Sequence, residues 1–155
     1  MSEPLWLTHE ERSTWLALTG LITKLPGALD AQLTRDAGLS FYEYMVLAML
    51  AESDDGVLRM SALAELTNGS LSRLSHVVQR LERQELVRRE TCADDRRATN
   101  AILTDAGRSR VESAAPGHVQ HARTLVVDAV SAEDLATFGR VGEAILDRVA
   151  DQRRN

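Results

Sequence analysis

Residues 70–84 carry the pattern that most narrows the choice of fold. The apolar side chains Leu71, Leu74, Val77, Val78 and Leu81 recur at spacings of three and four, which suits a helix with one buried stripe and no other regular structure. At about 100° per residue, Ser72, His76, Gln79 and Arg83 project opposite that stripe, and Arg73 and Arg80 flank it on one side. Just upstream, Ser61 reads as the cap of a short helix over residues 62–67, and Asn68-Gly69 is a turn dipeptide that leads at once into the next helix. Two helices joined by a tight glycine-containing turn are a helix-turn-helix candidate.

Two short runs with β-branched residues follow, 86–91 and 99–103, separated by the polar connection Cys92-Ala93-Asp94-Asp95-Arg96-Arg97-Ala98. They predict a hairpin with a charged tip. On the N-terminal side, Thr8 with Glu11 forms a capping-box pattern, and Trp15, Leu18, Ile22, Leu25, Leu29 and Leu33 continue a long helix that Gly38 stops, with Pro26 a possible kink. Ser40 with Glu43 repeats the capping box and opens a second helix to about Glu52. On the C-terminal side a helix starts at Thr104-Asp105-Ala106-Gly107 and is expected to be interrupted at Pro116-Gly117. Ser131 with Asp134 opens the last one, whose stripe is Leu135, Phe138, Val141, Ile145, Leu146 and Val149, before a charged tail, residues 151–155, that is expected to fray. The fold class is therefore mainly α with a small β-hairpin wing: a winged helix-turn-helix flanked by further helices.

A net charge of −5, taken as a whole-chain average, argues against a nucleic-acid partner, but its distribution reverses that reading. Residues 70–110 hold nine arginines against six acids, whereas the rest of the chain holds nine basic against seventeen acidic residues. Lys24 is the only lysine, so the central positive charge is all guanidinium, whose planar fork of donors suits phosphate and guanine. With 155 residues, 44% of them hydrophobic, the chain can bury a core as one domain, and no stretch approaches the roughly 20 apolar residues that span a bilayer. Met1-Ser2-Glu3-Pro4 lacks the positive and apolar regions of a signal peptide, so a cytoplasmic location is expected.

The run Ser70-Leu71-Ser72-Arg73-Leu74-Ser75-His76-Val77-Val78-Gln79-Arg80-Leu81-Glu82, followed by Leu86-Val87-Arg88-Arg89, resembles the recognition helix and first wing strand of the MarR family of transcription regulators. Asp94-Asp95-Arg96-Arg97-Ala98 and Leu103-Thr104-Asp105-Ala106-Gly107 are similar to that family's Asp-Arg-Arg wing and its closing Leu-Thr-x-x-Gly. One departure is Glu85, where the family usually has glycine in the turn before the wing. The resemblance covers residues 8–150 and implies one MarR-type domain over 1–155. Its dimerisation helices would lie at about 8–36 and 104–151, and its DNA-binding lobe at about 40–103. It also implies a homodimer whose first, fifth and sixth helices interlock on a palindromic operator, with repression the family norm.

In that frame Arg73, His76 and Gln79 are the candidates for base-edge contacts, and Ser70, Ser72, Ser75 and Arg80 for phosphate contacts. On the wing, Asp95, Arg96 and Arg97 complete the set. One arginine, Arg97 by the family pattern, enters the minor groove, and Asp95 holds a wing arginine in orientation. The resemblance places an effector pocket where the first two helices meet the DNA-binding lobe. Trp15, Phe41, Tyr42 and Tyr44 lie in those two helices, with Trp15 and Tyr44 the candidates for a small aromatic or phenolic effector, although core packing accounts for such residues more simply. His118 and His121 sit at i and i+3 without an assignable third ligand, and the single cysteine, Cys92, lies beside the wing. No cofactor is implied. An enzyme finds no support, since the chain has no phosphate loop, nucleophile elbow or metal-binding spacing. The other open reading is a protein-interaction module that kept the fold and lost DNA binding.

Overall fold

A computed structural model describes residues 6–152; residues 1–5, where the missing signal-peptide pattern was read, and tail residues 153–155 lie outside the described part. Contacts divide the chain into two units, one up to Pro116 and one from Gly117.

In the first unit α1 (His9–Ala37) begins at a complete capping box: Thr8 Oγ1 accepts from Glu11 N–H and Glu11 Oε2 accepts from Thr8 N–H. It passes through Pro26 as one helix and ends at Gly38, whose φ of 65° closes the helix in the left-handed region. Helix α2 (Phe41–Glu52) opens on the second capping box, Ser40 with Glu43. A short strand follows, β1 (Val57–Arg59), and runs straight into α3 (Met60–Leu66). The expected cap at Ser61 is thus corrected. Arg59 holds the cap position without a side-chain bond, because the chain enters the helix from a strand instead of a loop, and Ser61 lies within the helix. Helix α4 (Leu71–Arg83) is capped by Ser70. Strands β2 (Val87–Thr91) and β3 (Thr99–Leu103) form the predicted hairpin, and β1 adds to its far side, giving an antiparallel sheet of order β1-β3-β2.

The core of this unit gathers Leu33 of α1, Leu39, Val46, Leu47 and Leu50 of α2 and the turn before it, Leu63 of α3, and Leu74, Val78 and Leu81 of α4. One member of the α4 stripe departs from expectation: Leu71 is 54% exposed. It lies about 70° of helical rotation from the centre of the buried set and in the first turn, beyond the reach of the core. The α1 stripe divides as well. Leu29 and Leu33 are buried and Leu18 and Leu25 half-buried, whereas Trp15 and Ile22 are exposed, as are Leu16 and Leu21 outside the stripe.

Helix α5 (Asp105–Leu125) begins in the first unit and corrects the expected break at Pro116-Gly117, since it continues through both. Proline removes one hydrogen bond, that to the carbonyl of Glu112, and Glu112 and Pro116 are both exposed, so water can satisfy the freed carbonyl. The second unit holds the end of α5, a single 3₁₀ turn (Val127–Ala129) and α6 (Ala132–Gln152), whose first turn is closed by Ser131 Oγ accepting from Asp134 N–H. Phe138, Val141, Ile145, Leu146 and Val149 are all exposed along α6. Among the described residues no helix is long and apolar enough to cross a membrane.

Candidate nucleic-acid interface

The turn ahead of α4 is closely packed and sets how the helix begins. Asn68 takes φ 51°, a left-handed conformation that asparagine tolerates better than most residues. A Cβ on Gly69 would lie 1.9 Å from the Tyr42 hydroxyl, so any larger residue here would have to displace the Tyr42 ring. That hydroxyl is held in turn by Thr67 Oγ1 at 3.0 Å. Ser70 Oγ then accepts from Arg73 N–H at 3.2 Å, which satisfies one of the unpaired donors of the first turn and leaves the hydroxyl hydrogen free to donate outward.

Three surfaces result. Ser72, His76 and Gln79 form an exposed crest. On one flank, Arg73 and Arg80 border a groove of about 980 Å³ walled by Pro26, Asp30, Phe41 and Tyr42. Arg73 lies over the Tyr42 ring, its guanidinium carbon 4.1 Å from the centroid, a cation–π contact that helps to position the charged group. Arg80 donates from Nε to Glu43 Oε1 at 3.1 Å, while Glu43 Oε2 takes the Ser40 N–H, so one nearly buried carboxylate ties α4 to the start of α2. On the other flank, Ser75 shares a groove of about 420 Å³ with Arg59 and with Asp95 and Arg97 of the wing.

The wing is anchored at both ends. At its base Glu85 has φ 60°, the left-handed conformation that glycine would supply at this point. The departure at Glu85 therefore leaves the turn geometry intact and stores strain instead. The Leu-Thr-x-x-Gly signature acquires a physical meaning here. Thr104 Oγ1 donates to the Glu85 carbonyl at 2.7 Å and accepts from Gly107 N–H at 3.0 Å, and Thr104 N–H donates to the Leu86 carbonyl at 3.1 Å. Gly107 packs so closely that a Cβ there would fall 2.0 Å from the Leu86 carbonyl oxygen. Further along, Glu82 at the end of α4 receives both the backbone N–H and the guanidinium of Arg89 on β2. At the tip Arg96 and Arg97 are exposed, and Asp95 Oδ1 accepts from the backbone N–H of Arg97 at 3.0 Å. The orientation that Asp95 imposes is thus on the turn backbone, and it sets the direction in which the Arg97 side chain leaves.

Ser72, Arg73, Ser75, His76, Gln79 and Arg80 thus share one helix with Ser70 as its cap, and Asp95 and Arg97 of the wing line a groove with that helix while Arg96 is exposed between them in sequence. Trp15 and Tyr44 are not brought to them. Trp15 is half-exposed in a shallow groove with Leu7, Thr14 and Leu18, and Tyr44 is buried in α2, where desolvation, with Glu52 second, raises its pKa above the ordinary tyrosine value. Phe41 and Tyr42 supply the aromatic wall of the large groove instead. His118 is held below the usual histidine pKa by burial and then by His121, and Cys92 is buried with its thiol donating to Asn100 Oδ1. The supporting residues Tyr42, Glu43, Thr67 and Glu82 had no signal of this role in the sequence. Glu43 was legible as a capping residue, but its second partner, Arg80, is 37 positions away.

Known proteins resemble this chain in sequence and fold. A family model described as MarR family matches residues 37–98, from the end of α1 to the wing tip. Sco3205, a MarR family transcriptional regulator from Streptomyces coelicolor whose crystal structure was determined in complex with DNA, is 41% identical; the match covers 95% of this chain and 92% of that one, with a TM-score of 0.89. AbsC, another MarR family regulator from Streptomyces coelicolor, is 35% identical over 95% of this chain and 99% of its own, also with a TM-score of 0.89. YfiV of Bacillus subtilis (strain 168), an HTH-type transcriptional regulator, is 30% identical over 99 residues, which are 64% of this chain and 60% of YfiV, less than two thirds of its length.

Proposed function

This chain belongs to the MarR family of winged helix-turn-helix transcriptional regulators and is a DNA-binding regulator, not an enzyme; on that premise we propose that it acts in the cytoplasm as a homodimeric repressor of a pseudo-palindromic operator. One observation carries the dimer: the apolar side chains Trp15, Leu16, Leu21 and Ile22 of α1 and Phe138, Val141, Ile145, Leu146 and Val149 of α6 are left exposed within the chain. Rows of large apolar side chains on two helices are an interface waiting for cover, and a second copy supplies the same rows. In this reading residues 8–36 and 104–151 dimerise, residues 40–103 form the DNA-binding lobe, and 1–155 work as one MarR-type domain. Two-fold symmetry then places two recognition helices on two half-sites.

Within each half-site Arg73, His76 and Gln79 read base edges, and Ser70, Ser72, Ser75 and Arg80 hold phosphates. Arg97 enters the minor groove, and Arg96 stays on the backbone at its edge. Stacking on Tyr42 and bonding to Glu43 set Arg73 and Arg80 before DNA arrives, which lowers the entropy lost on binding. The groove between Tyr42 and α4 accepts a flat aromatic or phenolic effector. Such a molecule would act by favouring a pose of α4 that misfits the operator, and only to the extent that it binds that pose more tightly.

The test is a mobility shift with the intergenic DNA beside its own gene, alongside light scattering of the free protein. A salt-sensitive complex with one dimer per operator is expected. A folded monomer at micromolar concentration, or no preference over unrelated duplex, would refute the proposal.

A further inference from the structure

Leu71 is the one apolar residue of α4 that the core does not take, and its surroundings say what it faces. It occupies the first position of the helix, directly after the Ser70 cap, and is more than half exposed while Leu74, Val77, Val78 and Leu81 are buried. The groove it lines is cationic on balance, with Arg59, Arg89 and Arg97 against the single acid Asp95, and Ser61 and Ser75 beside it. A rim bearing guanidinium groups does not fit an apolar protein surface, which would strip water from those charges. It fits a polyanion that also presents an apolar spot. In the major groove the only apolar group on a base edge is the C5-methyl of thymine. The first residues of a recognition helix are the ones that meet base edges.

We infer that Leu71 reads the methyl group of one thymine in each half-site, which makes it a specificity residue on the wing-facing flank of α4, opposite the flank that carries Arg73 and Arg80. This rests on the proposed docking of α4 in the major groove and adds an apolar contact to that polar readout. Covering one methyl contributes about fourfold in affinity, from about 0.8 kcal/mol per buried carbon at about 1.4 kcal/mol per tenfold.

Deoxyuridine, which lacks only that methyl, provides the probe. A duplex selected from a random pool by the wild-type protein is resynthesised with each thymine in turn replaced by deoxyuridine, and the dissociation constants of wild type, Leu71→Ala and Leu71→Met are measured on the set. Wild type should lose about fourfold at one thymine per half-site. Leu71→Ala should be about fourfold weaker on the parent duplex and lose nothing more at that position, and Leu71→Met, which keeps apolar reach, should retain most of the sensitivity. A wild type indifferent to every replacement overturns the inference, as does a Leu71→Ala protein with the same sensitivity as wild type; the wild-type arm needs no variant to fold. If the wild type selects no duplex at all, the docking in the major groove fails first and takes this inference with it.

Discussion

Replacing Gly107 by alanine tests whether the base of the wing is as tightly closed as its hydrogen bonds indicate. The added Cβ would stand 2.0 Å from the Leu86 carbonyl oxygen and 2.7 Å from Leu103 Cδ1, where ordinary contact begins at 3.4 Å. The nearer obstacle is backbone, so it cannot be relieved by a rotamer change, and the first turn of α5 must move away from the α4–β2 turn by about 1.4 Å. Overpacking of this kind costs about 1–3 kcal/mol. The same movement stretches the bond from Thr104 N–H to the Leu86 carbonyl, 3.1 Å in the structure, at about 0.5–1.5 kcal/mol. Alanine returns up to about 1 kcal/mol through its higher helix propensity. The net loss should therefore be about 2 kcal/mol or somewhat more. Urea unfolding at a fixed protein concentration measures it, because the stability of a dimer depends on concentration. Operator affinity should fall as well, since β2 and β3 both begin or end at this junction. A variant as stable as wild type, with unchanged operator affinity, would show that the close approach has no energetic consequence and refute the reasoning.

Further outcomes follow from other residues. Glu85→Gly removes a left-handed strain of about 1–2 kcal/mol and adds chain entropy worth about 0.4–1 kcal/mol, so a small rise in urea midpoint is expected, and a clear fall would refute the strain. Ile145→Asp or Leu135→Asp in α6 should convert the dimer to monomer by light scattering and abolish operator binding, because a charge in an apolar interface costs several kcal/mol; an intact dimer would place α6 outside the interface. Arg73→Ala should cost about 1–3 kcal/mol in operator affinity and relax preference at one base pair per half-site. Arg97→Ala should weaken binding most where the flanks are A·T-rich, and equal losses for both variants on wild-type, half-site-mutant and G·C-flanked operators would show that neither arginine reads DNA.

Glu43 and Tyr42 add a feature that does not contact DNA in the proposed arrangement. Both belong to α2, yet each fixes an arginine of α4, so the start of α2 and the reading face of α4 move together. The ion pair contributes little stability at a half-exposed site, under about 1 kcal/mol, and what it sets is the direction of the guanidinium. Asp30 on α1 accepts the Phe41 N–H at 2.9 Å, which extends the same chain of contacts to the long first helix.

Local signals in the sequence were enough for most of the helices, for the caps at Thr8, Ser40 and Ser131 and for the hairpin, but not for the start of α3 or the continuity of α5. Thr8 with Glu11, Ser40 with Glu43, Gly38, and the 3-4 spacing in α4 and α6 act within a few residues, where propensity and side-chain capping decide the conformation. The polar face of α4 was legible for the same reason, since helical periodicity separates most of the side that packs from the side that does not, whereas the wing residues Asp95, Arg96 and Arg97 came from the family resemblance, and the DNA contacts of all ten remain part of the proposal. Other features depended on residues far apart in the chain. Strand β1 is three residues long and exists only through pairing with β3 more than forty positions later, so no period could announce it. Pro116 breaks helices on average, and whether it does so here turned on the exposure of Glu112, which leaves a freed carbonyl to water. Leu71 has the spacing of a core residue, but the core ends before it reaches the first turn of α4, and only the packed structure has such an edge. Glu43 and Arg80 meet because α2 and α4 cross, and a tertiary contact of that kind leaves no mark on either local sequence.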